Sequence, residues 1–144
     1  MMQRSGIVFI VDDDASVRRG VERLLRAAGY QVEAFASAAE FLRRREHDGP
    51  CCLVLDIRMP GMTGLELRDA LLAAGRDLPI IFVTGHGDIP MAVQAMKAGA
   101  IDFLTKPFDQ QVLLEGVGQA LAKDAGRWAE RGELIDIERL PSSG

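Results

Sequence analysis

The sequence predicts an α/β protein in which a doubly wound sheet of five parallel strands, ordered 2-1-3-4-5, carries five helices on its two faces. Three observations predict this fold. Short apolar runs alternate five times with stretches of helical period, and the connections between them are short. Most of these runs are almost continuous, which is typical of strands buried on both faces of a parallel sheet. The chain has 144 residues, of which 48% are hydrophobic, so we expect one hydrophobic core.

The predicted strands differ in the strength of their signal. Residues 7–11, 52–55 and 79–83 are nearly continuous apolar runs, whereas residues 31–35 alternate between polar and apolar side chains. The run at residues 101–104 is interrupted by an aspartate. Parallel neighbours must be joined by crossover connections, so the helices between them cover both faces of the sheet.

The predicted helices lie between these strands. Four cover residues 17–28, 38–45, 65–74 and 89–96, and the last runs from Asp109 to about Lys123. Each has a candidate N-cap whose side-chain oxygen can accept hydrogen bonds from free amides of the first turn. The candidates are Ser16 or Asp14, Ser37 with Glu40 and Thr63 with Glu66 as capping boxes, Asp88, and Asp109. Glycines supply three of the helix ends, at Gly29, Gly75 and Gly99.

Residues 1–123 form the predicted domain, and residues 124–144 form a predicted linker or C-terminal tail. In this last segment the strand–helix repeat does not continue, and charges of both signs alternate. Two local structures remain open: an extension of the last helix through Trp128, or a short strand at residues 134–137. Pro141 should end either one.

Composition argues against several classes of function for this chain. The formal net charge of -4 gives no basic stripe for nucleic acid. The first apolar run is too short for the core of a signal peptide, and no segment approaches the ~20 apolar residues of a membrane helix. We therefore expect a cytoplasmic protein that does not bind DNA through this chain and does not enter a membrane.

The cysteines and histidines do not predict a disulfide or a zinc site. Cys51 and Cys52 are adjacent, which suits neither, and we expect them to be reduced strand residues. His47 and His86 lie far apart and lack partner cysteines at ligand spacing, so we expect them at the surface or in loops.

Polar residues follow the predicted strands at the point where each strand ends. They are Asp12, Asp13 and Asp14 after the first strand, Asp56 after the third, Thr84 after the fourth, and Thr105, Lys106 and Pro107 after the fifth. Strands 1 and 3 are neighbours at the switch point of such a sheet, where ligands bind. The sequence therefore predicts that Asp12, Asp13 and Asp56 lie close together, while Asp14 caps the first helix.

A cluster of three carboxylates needs a cation. Two like charges ~4 Å apart repel by about 4 kcal/mol at an effective dielectric constant of ~20. Oxygen ligands suit Mg²⁺, which keeps several waters and uses only one or two protein carboxylates. We expect Lys106 to supply a second positive charge on the opposite side.

This arrangement predicts phosphoryl transfer to an aspartate. A carboxylate between a metal ion and a lysine can attack phosphorus, because both cations stabilise charge on the equatorial oxygens. Asp56 is the best-placed nucleophile because it lies centrally. The hydroxyl of Thr84 is the expected hydrogen-bond donor to the resulting phosphoryl group.

Four ordered motifs resemble those of response-regulator receiver domains. They are Val-Asp-Asp-Asp at 11–14, Asp-Ile-Arg-Met-Pro-Gly-Met-Thr-Gly at 56–64, Val-Thr-Gly-His-Gly-Asp at 83–88 and Leu-Thr-Lys-Pro-Phe at 104–108. The resemblance covers about residues 6–123 and is greatest to the FixJ-like branch, whose members usually join a receiver to a helix-turn-helix DNA-binding domain. It implies the CheY-like (flavodoxin-like) fold and a phosphorylation-dependent switch of a two-component system, driven by a sensor histidine kinase.

The resemblance also implies residue roles. Asp56 would be the phosphoacceptor, with Asp12, Asp13 and the backbone carbonyl of Arg58 as the other Mg²⁺ ligands. Thr84 and Lys106 would contact the phosphoryl group.

Two further residues have roles implied by the resemblance. Phe103 falls on the family's switch aromatic, although it suits a core strand position equally well. Pro107 follows a peptide bond that is cis in the family. Phosphorylation would change the face formed by the fourth helix, fifth strand and fifth helix, and we expect a homodimer to form there.

An output domain is also expected from the resemblance. Residues 124–144 are too short for a helix-turn-helix module, so either the chain is a piece of a longer protein or the receiver acts alone. We favour the first, because the branch it resembles usually has two domains, and we then expect transcriptional control and DNA binding to depend on a domain outside this chain.

Two other functions are compatible with parts of the pattern. A dehalogenase-like phosphatase also places a nucleophilic aspartate after a strand, but it needs a second aspartate two residues later, where this chain has Arg58. A flavin-binding module shares the fold, but the acidic loop after the first strand would repel a flavin phosphate. We therefore expect a signalling domain and not an enzyme that turns over a free substrate.

Overall fold

The computed structural model describes residues 6–47, 49–85, 89–97, 99–100 and 102–139, and of residues 89, 92 and 130–139 it describes the backbone alone. Within these ranges, five strands alternate with five helices. The strands are β1 (Ile7–Val11), β2 (Gln31–Phe35), β3 (Cys51–Asp56), β4 (Ile80–Thr84) and β5 (Asp102–Thr105). All neighbours pair in parallel in the order β2-β1-β3-β4-β5. The predicted fold class and strand order are confirmed.

Two strands extend further at their carboxyl ends than their apolar runs predicted. β3 includes Asp56 and β4 includes Thr84 because both residues continue the pairing with the next strand. Asp56 pairs with Val83, and Thr84 pairs with Thr105. The predicted start of the fifth strand, residue 101, lies outside the described residues.

The helices are α1 (Ala15–Ala27), α2 (Ala38–Arg43), α3 (Gly64–Ala73), α4 (Ile89–Lys97) and α5 (Gln110–Arg139). Asp14, and not Ser16, is the N-cap of α1, since its carboxylate accepts hydrogen bonds from the amides of Ser16 and Val17. Thr63 and Glu66 form the complete capping box predicted for α3.

The caps of the other helices follow the prediction only in part. Ser37 accepts from the amide of Glu40, but the Glu40 carboxylate accepts from the amide of Ala36 and so does not close a capping box. The Asp109 carboxylate caps α5 by accepting hydrogen bonds from the amides of Gln111 and Val112. The candidate cap Asp88 lies outside the described residues.

The last helix does not end near Lys123, where its end was first predicted; of the two structures left open for the last segment, its extension through Trp128 is confirmed. It continues to Arg139, which also excludes a strand at residues 134–137. Tertiary contacts stabilise the continuation. Asp124 is buried and its carboxylate accepts a hydrogen bond from the amide of Cys51 at 2.9 Å. The guanidinium of Arg127 donates to the carbonyl of Asp77 at 2.9 Å.

The core is divided by the sheet into two layers. On one face, strand residues Phe9, Leu53 and Phe82 pack with α2 and α3, represented by Phe41, Leu67 and Leu71. On the other, Ile10, Val54 and Ile81 pack with α1 and α5, represented by Leu25, Leu113 and Val117. Adjacent strand residues therefore enter different layers, which accounts for the continuous apolar runs.

The cysteines and the described histidine lie as predicted. Cys51 and Cys52 are buried free thiols in β3. His47 lies in the connection after α2, with its ring nearly perpendicular to that of Phe9. His86 lies outside the described residues. In the part of the chain that the structure covers, none of the helices combines the length and the apolar character needed to cross a membrane.

Candidate functional site

The acidic residues meet at the carboxyl end of the sheet, where β1 and β3 are neighbours. Val11 is in register with Leu55, so the next residues along the two chain segments are Asp12, directly after β1, and Asp56, the last residue of β3. Asp13 follows in the connection to α1. Carboxylate oxygens of the three aspartates all lie within 4.8 Å of one another. Strand order and register therefore assemble the cluster from residues 44 positions apart in the chain.

The three carboxylates differ in exposure and in partners. Asp12 and Asp56 are only 3% and 6% exposed, whereas Asp13 is exposed. One Asp12 oxygen accepts a hydrogen bond from the amide of Asp14 at 2.9 Å. The structure also shows a residue that sequence reasoning missed: the guanidinium of Arg18 donates to the main-chain carbonyl of Asp12 at 2.8 Å. A cation near the amino end of a helix is unfavourably placed in the helix dipole, and that signal could have indicated a specific partner for Arg18.

Lys106 bridges two of the carboxylates. Its Nζ lies 3.2 Å from Asp12 Oδ2 and 3.6 Å from Asp56 Oδ2. It therefore contacts Asp12 as well, and does not simply face Asp56 from the opposite side. Burial disfavours the ammonium, but the two carboxylates together outweigh this effect and raise the pKa of Lys106.

A lysine beside an aspartate normally lowers the pKa of the carboxyl group, but the pKa of Asp56 is raised. Burial, and after it the charge of Asp12, raise its pKa to about 6. Lys106 and a hydrogen bond from the amide of Arg58 act in the opposite direction but do not compensate. Burial and the neighbouring carboxylates therefore outweigh the two groups that favour the ionised form of Asp56.

The donor set fits a hard divalent cation. Carboxylate oxygens grouped this closely repel one another, and a divalent ion would neutralise this repulsion, which adds to the effect of burial on the pKa of Asp56. Oxygen-only ligands with at least one exposed carboxylate suit Mg²⁺, which retains part of its water shell.

Thr84 and Phe103 lie on adjoining strands beside this cluster. Thr84 ends β4 and is fully buried, and its hydroxyl donates to the carbonyl of Gly85 at 3.2 Å. Phe103 pairs with Phe82 and is partly buried against the core layer that contains Ala95 of α4. Phe103 is thus part of the core in this structure. It lies two residues before Thr105, which pairs with Thr84.

The connection from β3 to α3 passes very close to the cluster. The amide of Gly64 donates to the carbonyl of Ile57 at 2.7 Å. A Cβ at Gly64 would overlap the carbonyl oxygen of Asp56 and would lie 2.9 Å from Ile57 Cα, so only glycine fits without movement of the backbone. On the other side of the site, the Lys106–Pro107 peptide bond is cis, as the resemblance implied.

Comparisons with known proteins match this chain to one family. The family model described as "Response regulator receiver domain" matches residues 8–118. Nodulation protein W of Bradyrhizobium diazoefficiens is 51% identical over 134 residues, covering 93% of this chain and 59% of that protein. Transcriptional regulatory protein FixJ of Azorhizobium caulinodans is 44% identical over 135 residues, covering 94% of this chain and 62% of that protein.

A solved structure gives the same result. The response regulator StyR has a TM-score of 0.87 and 51% sequence identity, covering 94% of this chain and 69% of that chain. The chain spans about three fifths of the length of the two curated relatives. The match to FixJ is consistent with the predicted branch. The chain therefore belongs to the response regulator receiver domain family.

Proposed function

We propose that this chain is a phosphorylation-dependent signalling switch in which Asp56 accepts a phosphoryl group from a sensor histidine kinase. One observation carries the proposal: Asp56 lies between the acidic pair Asp12–Asp13 and the ammonium of Lys106, at the switch point of the sheet. Its pKa of about 6 still leaves it mostly ionised, and so nucleophilic, at neutral pH.

The acidic cluster is the site for Mg²⁺. Asp12, Asp13 and Asp56, with the backbone carbonyl of Arg58, would hold it. When bound, the ion neutralises charge on the carboxylates and on the transferring phosphoryl group. The carboxylates alone repel a phosphoryl donor, so transfer should depend on the divalent ion.

The transfer forms one bond and breaks one. A carboxylate oxygen of Asp56 attacks the phosphorus of a phosphohistidine, and an acyl phosphate forms while the phosphorus–nitrogen bond breaks. The bonding electrons stay on the imidazole nitrogen of the kinase. Lys106, which already contacts Asp56 and Asp12, offers its ammonium to the phosphoryl oxygens.

Thr84 and Phe103 would communicate the new charge to the protein surface. The Thr84 hydroxyl can leave the carbonyl of Gly85 and donate to a phosphoryl oxygen instead. Its movement would make room for Phe103 to turn inward from its place against the core layer that contains Ala95 of α4. To move such an equilibrium from 1:99 to 99:1, the phosphoryl group must favour the active state by about 5.5 kcal/mol.

The α4–β5–α5 face is the proposed output surface. Val93 and Met96 of α4 are 42% and 37% exposed, and a phenylalanine at 103 has no hydroxyl to bond a partner. We expect two copies to associate on this face after phosphorylation. Light scattering with beryllofluoride should show twice the mass, and Val93→Glu should prevent this, whereas Leu42→Glu on α2 should not. An unchanged mass would contradict dimerisation without affecting the role of Asp56.

Wider roles follow from the family and from the names of the relatives. Since one relative is named a transcriptional regulatory protein, we propose that this receiver controls a transcriptional output domain, through which alone it would act on DNA. We place it in the cytoplasm, where its kinase partner would present a phosphohistidine. Residue 58 is an exposed arginine and not an acid, so it cannot act as the general acid that turnover of a free substrate needs. We therefore propose that the receiver hydrolyses only the acyl phosphate formed on Asp56.

The phosphoacceptor can be tested by intact mass measurement. The chain is incubated with acetyl phosphate and Mg²⁺, and we expect a gain of one phosphoryl group that Asp56→Asn abolishes and chelation prevents. Asp69→Asn, which changes an exposed aspartate of α3, should leave the gain unchanged. A gain that persists in Asp56→Asn, or no gain in the wild type with several small donors, would refute the assignment.

A further inference from the structure

A cleft of about 490 Å³ lies at the opposite edge of the sheet from Asp56. It is bounded by the end of α3, the connection into β4, the residues before β5, and α5. Ile80 at the amino end of β4 lines the cleft, and Thr84 at the other end of that strand lies beside the acidic cluster. Four residue steps separate them, or roughly 13 Å. The cleft is therefore a separate place from the phosphoacceptor site.

Basic side chains line this cleft in a protein whose net charge is -4. They are Arg68, Arg76, Lys123 and Arg127, against one carboxylate, Asp77. Arg127 is neutralised by Asp77 at 3.4 Å and Asp124 at 3.8 Å, and Arg68 lies 3.6 Å from Asp69. Among the described residues, Arg76 and Lys123 form no ion pair within 4.0 Å. The cleft thus has two cations available to a ligand.

Arg76 is the more informative of the two. Its guanidinium lies 5.2 Å from the ring centroid of Phe41, and its Nε is buried without a hydrogen-bond partner among the residues described. A buried guanidinium nitrogen without an acceptor is unfavourable. An anionic oxygen in the cleft would satisfy the charge of this side chain.

The floor of the cleft is apolar. It is formed by Leu78 and by the almost fully buried Leu71, Pro79 and Ile80, and Leu72, which also lines the cleft, is 41% exposed. An inorganic ion would leave this surface uncovered, whereas an organic anion would use the cations and the floor together.

We propose that this cleft binds a small organic phosphate or phosphonate, with its acid group at Arg76 and Lys123 and its apolar body on the floor. The volume suits a compact organic molecule. The acidic cluster at the other edge of the sheet repels anions, so we do not expect such a ligand to bind there in the metal-free protein. This inference goes beyond the proposed phosphorylation and does not depend on it.

Binding there would be sensed by α5. Arg76 and Asp77 also line the small adjoining pocket that contains Trp128 and the buried Asp124. Trp128 is the single tryptophan of the chain, so its fluorescence reports on this part of α5. A ligand bound to Arg76 would therefore lie next to the two hydrogen bonds that join α5 to Cys51 and to Asp77.

The test uses benzylphosphonate, which has no transferable phosphoryl group, on ¹⁵N-labelled protein in chelator. We expect saturable amide shifts at Gly99, Ala100 and Lys123 and a change in Trp128 fluorescence with the same dissociation constant. Benzyl alcohol, which lacks the charge, and methylphosphonate, which lacks the apolar body, should each bind about tenfold more weakly or worse.

Variants decide whether the cleft is responsible. Lys123→Gln alters an exposed side chain, and we expect it to weaken binding about tenfold; Arg76→Gln should do at least the same. Arg23→Gln, on the exposed side of α1, is the matched control and should bind like the wild type. The proposal is overturned if no saturable shifts occur at millimolar probe, if the shifts centre on Asp12 and Asp56, or if all three variants bind alike.

Discussion

Replacing Asp56 with asparagine should stabilise the metal-free protein, although it removes the central residue of the site. Burial and Asp12 hold the pKa of Asp56 at about 6, against 3.8 for an ordinary aspartate. Between these two pH values the folded chain keeps a proton that the unfolded chain releases, so the stability of the wild type falls as pH rises through this range. Asparagine does not titrate and carries no such loss.

The magnitude follows from the size of the pKa shift. About two pKa units correspond to about 3 kcal/mol at 25 °C. The loss should begin near pH 4 and be complete above pH 6 to 7. We therefore expect Asp56→Asn and the wild type to differ little at pH 4, and the variant to be more stable by up to about 3 kcal/mol at pH 7.5.

Urea unfolding, followed by circular dichroism at several pH values in chelator, measures this difference. Adding Mg²⁺ should narrow it, because the wild type offers one more carboxylate ligand; an ion at ten times its dissociation constant stabilises by about 1.4 kcal/mol. Asp69→Asn is the control, since its carboxylate is 77% exposed and the change should stay within about 0.5 kcal/mol. If Asp56→Asn has no advantage at pH 7.5, or an advantage that does not grow with pH, the electrostatic account of the site is wrong.

Three further predictions concern the scaffold around the site. Gly64→Ala should destabilise the fold by about 1–3 kcal/mol in urea unfolding and weaken Mg²⁺ binding, because its Cβ would displace the backbone of Asp56, whereas Gly20→Ala in open space on α1 should be neutral or stabilising; equal effects would contradict the close approach. Asp124→Ala should cost about 1–3 kcal/mol, because the buried amide of Cys51 loses its acceptor, and a change below 0.5 kcal/mol would show that this contact does not stabilise α5. The pKa of Cys51 is raised to about 12 by burial and then by Asp124, so a disulfide reagent at pH 8 should modify neither cysteine until the protein unfolds; rapid labelling of the native protein would refute this.

The sequence predicted the strands well because burial on both faces leaves an unmistakable pattern. It placed their carboxyl ends less well. Asp56 and Thr84 interrupt the apolar runs, yet their main chains still pair with neighbouring strands. The hydrophobic pattern indicates which side chains are buried, whereas strand pairing depends on backbone hydrogen bonds, so the pattern does not mark where pairing ends.

The end of α5 could not be read from local pattern. Residues beyond 123 show no apolar stripe, and the contacts that hold the helix join Asp124 to Cys51 and Arg127 to Asp77, residues 73 and 50 positions away. Such polar contacts across the fold leave no periodic signal in the sequence.

The proximity of Asp12, Asp13 and Asp56 was predicted from the sequence, but the contacts between individual atoms were not. Strand order alone brings Asp12 and Asp56 together, because parallel strands end at one edge. Two contacts depend on side-chain conformations, which the sequence does not specify. Lys106 contacts both carboxylates, and Arg18 donates a hydrogen bond to the main-chain carbonyl of Asp12.

The uninterrupted α5 gives the domain a lever arm. From Asp124, where the helix is fixed to the sheet, to Arg139 it extends over fifteen residues, or roughly 22 Å. A tilt of about 10° at the fixed end would displace the far end by roughly 4 Å over that length. A small tilt of α5 next to Cys51 would thus move the far end of the helix by a distance comparable to the separation of neighbouring strands.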